Sequence, residues 1–269
     1  MVQRMLAQGD SVAVWNRTAS KAEPLRAAGA AIGATPADAV RGAERVHLAL
    51  TDDAVVDAVL GAISSAIGPD ATVIDHSTTA PVATAARAVR LTQAAVAFLH
   101  APVFMSPQMC RDGKGLMMVS GPAAVFERMQ PDLARMTGDL WYLGDRSDLA
   151  AAYKLFGNSM LFAINAGLTD VLAMAKNLDV PGDGALSLFS RFNTSFAIAM
   201  RGPKMIAGDF SPTFALAMAR KDLRLMLESA GDVPLVVLPA LAARMDQAIA
   251  AGHGDDDLAA IAAPVVKSR

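Results

Sequence analysis

Three clusters of polar residues follow apolar stretches that are typical of β-strands. They are Asn16-Arg17-Thr18 after "SVAVW" (11–15), Thr51-Asp52-Asp53 after "RVHLAL" (45–50) and Ser77-Thr78-Thr79 after "VID". Their hydroxyl, carboxylate and guanidinium groups can hydrogen-bond the sugar hydroxyls and phosphates of a nucleotide. The carboxyl ends of parallel strands meet at one edge of a sheet, where doubly wound folds bind nucleotides. Helix capping is the competing interpretation for Asp53 and Thr79.

The first cluster bears on the kind of dinucleotide. In dinucleotide-binding folds, an acidic residue at the end of the fold's second strand accepts hydrogen bonds from the adenosine ribose, whereas an arginine there accommodates a 2′-phosphate. The strand 11–15 corresponds to that second strand. The triplet Asn16-Arg17-Thr18 contains no acid. Arg17 can lie against adenine and contact a phosphate with its planar fork, so a functional triplet favours NADP, with NAD possible. The competing interpretation is a solvated turn in which Thr18 caps the next helix.

The first half of the chain alternates between strand and helix patterns. Continuous apolar runs separated by helices predict a parallel sheet covered on both faces. The predicted strands are 11–15, 45–50, 71–77, 96–102, 115–121 and 140–144. The predicted helices between them are Ala19–Ala28, 52–68, 80–94 and Pro122–Met136.

The pattern changes after Gly144. A helical period persists from Ser147 to Leu178 without a convincing turn signal. Further helices are predicted at Asp183–Phe189, Ser195–Ile206, Phe214–Gly231 and Leu235–Ala251, and no strand is needed. The chain therefore divides near residue 145 into an α/β domain (1–145) and an all-α domain (146–269), joined by the long helix itself.

The composition indicates a folded protein with a packed core. Hydrophobic residues make up 53% of the 269 residues and charged residues 19%, which excludes disorder. A net charge of -2 gives no electrostatic footprint for nucleic acid or an anionic membrane. Apolar runs such as Ala94 to Met105 are too short to span a bilayer. A single cysteine, Cys110, and no visible signal peptide lead us to expect a cytoplasmic location.

Five motifs occur in order along the chain: "VWNRT", "DHSTTAP", "HAPV", "KLFGN" and "KDLRL". Together they resemble the β-hydroxyacid dehydrogenase family, which includes 3-hydroxyisobutyrate dehydrogenases and tartronate semialdehyde reductases, over nearly the whole chain. The resemblance implies a Rossmann-like, 6-phosphogluconate dehydrogenase-like domain over 1–145. A helical domain over 146–269 would complete the active site and make the contacts of a homodimer or homotetramer. The implied function is NADP(H)-dependent hydride transfer to or from a small hydroxyacid or aldehyde.

By that resemblance Lys154 is the catalytic lysine, and Asn158 lies one helical turn later to hold substrate or orient the lysine. A lysine near the substrate oxygen can donate a proton or stabilise a developing alkoxide. A surface lysine is the competing interpretation. Lys154 is, however, the only cation between Arg146 and Lys176, in an apolar stretch where an unused charge is costly.

The resemblance assigns other residues to the cofactor. Lys221, in "RKD", matches a second family lysine that reaches toward the nicotinamide end, although an exposed helix face competes as an interpretation. Leu50, Thr51 and Thr78 match positions that line the cofactor. No metal site is predicted.

The substrate motif departs from the family's Asp-Ala-Pro-Val-Ser-Gly-Gly. This chain has Phe104 and Met105 where the family has serine and the first glycine, followed by Ser106. Bulky apolar side chains there predict a larger or less polar substrate than hydroxyisobutyrate, or anion binding shifted to Ser106. His100 replaces the family aspartate, and we expect it to make a structural hydrogen bond rather than to act as a base.

The second departure is at the start. Family members begin with an apolar strand and a Gly-x-Gly-x-x-Gly turn, whereas "VQRMLAQ" reads as the back half of the following helix. We therefore expect an incomplete first domain and an upstream coding segment of roughly twenty-five residues. Two alternatives stay open: a cofactor-deficient, non-catalytic scaffold that binds a ligand or dimerises, and an imine reductase. The usual imine reductases of this fold replace the lysine, so Lys154 counts against the latter.

Overall fold

The computed structural model describes residues 1–266. The chain divides into two compact units, Met1–Asn158 and Ser159–Arg269. The division falls within a helix of 29 residues, Leu149–Asn177, which contributes to both units.

The first unit alternates strands and helices. Its strands are β1 Ala13–Val14, β2 Ala31–Ile32, β3 Arg45–Leu48, β4 Thr72–Asp75, β5 Ala97–His100, β6 Val103–Phe104, β7 Leu116–Ser120 and β8 Asp139–Gly144. Its helices are α1 Val2–Ala7, α2 Ala19–Ala27, α3 Pro36–Val40, α4 Asp53–Ile63, α5 Pro81–Gln93, α6 Pro107–Asp112 and α7 Ala123–Ala134. The predicted elements are present, and β2, β6, α3 and α6 are additional.

The strands form two sheets. Strands β1 and β2 pair in parallel, and a six-stranded sheet has the order β3-β4-β5-β7-β6 with β8 paired to β7. Strands β3, β4 and β5 are parallel, but β7 runs antiparallel to β5 and β6. The predicted Rossmann-like fold is confirmed, and its sheet is mixed rather than parallel throughout. A strand buried on both faces carries the same apolar pattern in either direction, so the sequence does not reveal the reversal after β5.

Both faces of the large sheet are covered. Successive strand residues point to opposite faces, so Val73 packs in one cluster with Val56 and Ile63 of α4. Ile74 packs in a second cluster with Met5 of α1 and Leu133 of α7. This arrangement explains why the strands are apolar throughout rather than alternating.

The remaining elements are helical. Within the described part of the chain no strand follows Gly144, as expected, and the long helix is α8 Leu149–Asn177. The others are α9 Gly182–Ser187, α10 Phe196–Ala207, α11 Leu216–Ala230, α12 Leu238–Ala248 and α13 Ala263–Val266, with 3-10 turns at Leu188–Ser190 and Leu258–Ala262 and a π-helical turn at Ile249–His253.

A buried carboxylate organises the helices of the second unit. Asp170 on α8 accepts hydrogen bonds from the backbone amides of Val236, Val237 and Leu238, at 2.6, 2.9 and 2.9 Å. These amides begin α12 and have no partner within that helix. The carboxylate thus fixes the start of α12 against α8.

Helix α8 presents an apolar surface to solvent. Phe156 and Phe162 are each 66% exposed, and Met160, Leu161 and Ile164 are also exposed. By length and composition alone α8 could cross a membrane, a possibility that the sequence analysis missed because it considered only shorter runs. An apolar surface of this kind is typical of a helix that packs against a partner.

Candidate cofactor and substrate site

The carboxyl ends of three parallel strands lie side by side. Leu48 of β3 pairs with Asp75 of β4, and Asp75 pairs with His100 of β5. The loops that follow contain the second and third polar clusters. They are joined directly, because the amide of Leu50 donates a 2.9 Å hydrogen bond to Ser77 Oγ.

The first and second clusters also lie close together. Asp52 caps α4 by accepting from the amide of Val55 at 2.9 Å and also accepts from the Thr51 hydroxyl at 3.1 Å. These hydrogen bonds, with a smaller contribution from the positive charge of Arg17, lower the pKa of Asp52. The positive charge of Arg17 therefore acts on the carboxylate that caps α4.

The Asn16-Arg17-Thr18 turn leaves its arginine free. Asn16 Oδ1 accepts a 2.9 Å hydrogen bond from the amide of Thr18. Thr18 occupies the N-cap position of α2, but its side chain makes no capping hydrogen bond. Arg17 is exposed and forms no hydrogen bond or ion pair within residues 1–266. Its planar fork fits the phosphate of a dinucleotide.

Asp53 and Thr79 do not cap their own helices. Asp53 Oδ2 accepts from the amide of Ala80, the N-cap residue of α5, at 2.9 Å. Thr79 is buried, and its hydroxyl lies 2.8 Å from that of Thr84. Thr78, the residue before Thr79, is exposed and available to a ligand.

A buried histidine, His76, and a half-buried one, His47, follow or lie within the strands that carry these loops. His76 Nδ1 is 2.7 Å from the carbonyl oxygen of Ala101, and His76 Nε2 is 3.0 Å from His47 Nδ1. A carbonyl only accepts, so His76 carries its proton on Nδ1 and its Nε2 accepts the proton of His47 Nδ1. Burial lowers the pKa of His76 to about 4 and that of His47 to about 3. Both imidazoles are therefore neutral near pH 7.

The hydrogen bond expected for His100 is not present. His100 is fully buried, and neither ring nitrogen has a hydrogen-bond partner among the described residues. Its Nδ1 lies 3.8 Å from Asp75 Oδ2, which also lacks a partner. The prediction of a structural hydrogen bond was wrong because the carboxylate of Asp75 faces the His100 ring at a distance too long for one. Burial lowers the pKa of His100 to about 3.

Lys154 approaches the chain just after β5. Its Nζ donates a 2.7 Å hydrogen bond to the carbonyl of Val103 and lies 3.6 Å from the centroid of the Phe104 ring. Burial lowers the pKa of the ammonium group. Asn158 is half-buried one turn later, on the same side of α8. The carbonyl of Ala101 contacts His76, and the carbonyl of Val103, two residues later, contacts Lys154. The segment 101–103 therefore connects Lys154 with the loop that follows β4.

Gly157 makes room for the aromatic ring. A Cβ atom at Gly157 would lie 2.4 Å from Phe104 Cζ, closer than any real contact. The ring of Phe104 thus occupies the space that this glycine leaves open on α8. Phe104 was predicted to contact substrate, but its dependence on Gly157 leaves no local signal in the sequence.

Met105 and Ser106 have structural contacts. Met105 is half-buried against the core cluster that contains Ile74 and Leu133. Ser106 Oγ caps α6 by accepting from the amide of Met109 at 3.2 Å. The pair Ser106-Pro107 is a typical helix start, a signal from which α6 could have been predicted. Their roles toward substrate stay predictions.

Lys221 lies in the second unit on α11. Its ammonium is 2.8 Å from the carboxylate of its neighbour Asp222, and its side chain is 47% exposed. The assignment of Lys221 to the cofactor stays a prediction. No group of three or more metal-ligating side chains occurs among residues 1–266.

Matches to two family models identify the protein as a nicotinamide-dinucleotide-dependent oxidoreductase. Residues 1–144 match the model of the NAD-binding domain of 6-phosphogluconate dehydrogenase. Residues 149–265 match that of the NAD-binding domain of NADP-dependent 3-hydroxyisobutyrate dehydrogenase. The chain belongs to the β-hydroxyacid dehydrogenase family, whose members act on hydroxyacids and aldehydes with NAD(P).

Characterised relatives cover almost the whole chain. The 3-sulfolactaldehyde reductase of Escherichia coli K12 is 29% identical over 97% of this chain and 90% of its own length. Glyoxylate/succinic semialdehyde reductase 1 of Arabidopsis thaliana is 27% identical over 100% of this chain and 95% of its own length. The imine reductase of Myxococcus stipitatus in complex with NADP+ has a TM-score of 0.89 at 20% identity, over 97% and 93% of the two chains, and shares the fold.

Proposed function

We propose that this protein interconverts a small aldehyde or keto compound and the corresponding alcohol with NADP(H), using Lys154 as the general acid and base. The position of Lys154 carries the proposal. It is a half-buried cation on a largely apolar helix, and its only hydrogen bond in the described residues is to the carbonyl of Val103. One backbone acceptor leaves two ammonium protons for a substrate oxygen.

The chemistry requires one hydride and one proton. A bound nicotinamide would supply or take up the hydride at the carbonyl carbon, and the electrons of the C=O π bond would then form the O–H bond of the alcohol. Lys154 donates the proton to the oxygen as charge develops there, and in the reverse direction the neutral amine removes it. Burial lowers the pKa of Lys154 toward neutral pH, which favours interconversion of its ammonium and amine forms during turnover. Asn158 is placed to hold the substrate beside it.

The preference for NADP rests on Arg17. Its guanidinium is exposed at the end of β1 and its charge acts on the carboxylate that caps α4, and Asn16-Arg17-Thr18 offers no carboxylate to a ribose 2′-hydroxyl. Thr51, Thr78 and the backbone of Leu50 would line the same edge. A phosphate on the ribose would gain hydrogen bonds from Arg17 that NAD lacks.

Phe104 supports a substrate larger or less polar than hydroxyisobutyrate. Its ring lies directly over the Lys154 ammonium, where the family motif has serine. An aromatic face beside the reacting oxygen excludes water. It also provides no hydrogen-bond donor to the second carboxylate of a dicarboxylate substrate. A small acid bearing a bulky or apolar substituent fits this environment better than a short dicarboxylate.

Substrate screening and cofactor titration test the proposal. NADPH and NADH binding is measured by fluorescence titration, followed by oxidation of NADPH in the presence of sulfolactaldehyde, succinic semialdehyde, bulkier α-substituted aldehydes and a cyclic imine. We expect NADPH to bind more tightly than NADH and a bulky aldehyde to give the highest kcat/KM. Binding of neither cofactor contradicts the proposal, as does turnover of the imine alone.

We further propose that two copies associate through α8. Five exposed apolar side chains are distributed around much of α8, an arrangement that water-exposed helices rarely retain: Phe156, Met160, Leu161, Phe162 and Ile164. Light scattering after gel filtration should give a dimer or tetramer, and Phe162→Glu should dissociate it. A monomeric wild-type protein at micromolar concentration would contradict this proposal.

A further inference from the structure

Arg87 is a fully buried cation that none of the predicted site residues explains. It lies on α5 with no exposed side-chain surface, and its Nε donates to Asp57 Oδ1 at 2.8 Å. Its Nη2 donates to Asp53 Oδ1 at 2.9 Å. Asp53 and Asp57 are one turn apart on α4 and thus face the same direction. A guanidinium removed from water is costly unless such partners surround it.

The carboxylate of Asp53 transmits this contact to a loop. One oxygen accepts from Arg87, and the other accepts from the amide of Ala80, which ends the loop between β4 and α5. Asp53 itself follows the loop between β3 and α4. A single side chain therefore ties the far ends of both loops together, and Arg87 holds that side chain from beneath.

The near ends of the same loops are joined by Ser77. Its Oγ accepts from the amide of Leu50 at 2.9 Å, and its own amide donates to Asp75 Oδ1 at 2.9 Å. Thr51 and Thr78 thus lie between two cross-links, one at each end. Both threonines are exposed, and their backbone is held on either side.

Arg87 also faces Asp75, the carboxylate that accepts from the Ser77 amide. Its Nη1 is 3.9 Å from Asp75 Oδ2, and both atoms are buried without a hydrogen-bond partner in the described residues. The positive charge is therefore close to the carboxylates at both ends of the paired loops. Arg90, one turn later on α5, differs, since it is 56% exposed and, within residues 1–266, donates only to Asp57, at 2.8 Å.

We propose that Arg87 is a positioning residue for the dinucleotide. By holding Asp53 against the Ala80 amide, it keeps the loops that carry Thr51 and Thr78 at a fixed separation, so that the cofactor meets a preformed surface. The inference rests on the proposed assignment of Leu50, Thr51 and Thr78 to the cofactor. It concerns ground-state binding of the cofactor and not the proton transfer at Lys154.

The experiment compares Arg87→Met, Arg87→Lys and Asp53→Asn with Arg90→Met in the full chain. The dissociation constant for NADPH, the KM for NADPH, kcat at saturating NADPH and the melting temperature are measured for each. Arg87→Met and Asp53→Asn should raise the NADPH dissociation constant about tenfold, which is about 1.4 kcal/mol of binding free energy. The kcat at saturating NADPH should stay within twofold of the wild-type value.

The conservative variant and the control separate positioning from general stability. Arg87→Lys keeps the charge but not the fork, so it should bind NADPH with an affinity between those of wild type and Arg87→Met. Arg90→Met removes the same charge and should change NADPH binding less than twofold. If Arg87→Met does not fold, Arg87→Lys and Asp53→Asn still give the result.

The inference is overturned if folded Arg87→Met or Asp53→Asn binds NADPH like wild type, or if Arg90→Met weakens binding equally. A fall in kcat at saturating NADPH with an unchanged NADPH dissociation constant overturns it as well. Failure of the wild-type chain to bind NADPH or NADH would instead refute the proposed function, and with it this inference.

Discussion

The ammonium nitrogen of Lys154 lies 3.6 Å from the centroid of the Phe104 ring and is anchored by the carbonyl of the preceding residue, Val103. Two consecutive residues of β6 therefore control the position and the hydration of one cation on α8. The ring attracts the charged form, while burial favours the neutral form. Burial lowers the pKa of Lys154.

Replacement of Lys154 by alanine should abolish turnover and leave the cofactor bound. Loss of a positioned general acid typically lowers kcat by about 10²–10⁴-fold. The NADPH dissociation constant should change less than threefold, because Lys154 contacts none of the predicted cofactor residues. Stopped-flow reduction and fluorescence titration measure the two quantities. Lys176→Ala, at the exposed end of the same helix, is the matched control and should retain full activity; loss of cofactor binding alone in Lys154→Ala contradicts the assigned role.

Phe104→Ser should raise the pH above which the rate of reduction falls. The acid form of Lys154 is needed for reduction, so the rate falls as pH rises through the lysine pKa. Removing the ring admits water and relieves the burial that lowers this pKa, which moves the alkaline limb of kcat/KM to higher pH. The KM for a short hydroxyacid should fall, since serine restores a hydroxyl. A pH profile that does not move indicates that the ring does not control Lys154.

Gly157→Ala should reduce activity only while Phe104 is present. The added Cβ would lie 2.4 Å from Phe104 Cζ, so the ring must leave its position over Lys154. Overpacking of this kind costs about 1–3 kcal/mol of stability. In a Phe104→Ser background the same substitution should be nearly neutral in melting temperature. A double-mutant cycle measures this coupling, and additive effects of the two substitutions would refute the contact.

The order of elements was largely accessible from sequence because it depends on local periodicity. Apolar runs gave β3, β4, β5, β7 and β8, and capping residues such as Asp52 marked the helix starts. The proposed nucleotide-binding edge was inferred from the polar residues that follow those runs. The family comparison confirms the class of fold and the cofactor class.

The remaining features depend on tertiary contacts that no local pattern encodes. Strand β6 has two residues, too few for a detectable period, and the direction of β7 leaves no trace in a continuously apolar strand. Arg87 is 30 residues from Asp57 in sequence and looks like any charged residue on a helix. His100 was expected to follow the usual rule that buried polar groups are hydrogen-bonded, and its nearest carboxylate lies too far away.

The hydrogen-bonded pair of His47 and His76 should make the first unit unstable in mild acid. In the folded protein their pKa values are about 3 and about 4, below the ordinary value of 6.5. Between pH 6.5 and pH 4 the unfolded chain therefore takes up protons that the folded chain does not. Stability consequently falls as pH decreases through this range, by up to about 1.4 kcal/mol per pH unit for each histidine.

Urea denaturation followed by tryptophan fluorescence measures this effect, because both tryptophans, Trp15 and Trp141, lie in the first unit. His76→Asn removes one titrating group, so the slope of unfolding free energy against pH between 4.5 and 6 should decrease by about one proton, whatever its effect on stability at pH 7. His253→Gln removes a histidine of the second unit and should leave that slope unchanged. An unaltered slope in His76→Asn would mean that His76 takes up its proton in the folded protein over the same pH range as in the unfolded chain, which contradicts the lowering of its pKa by burial.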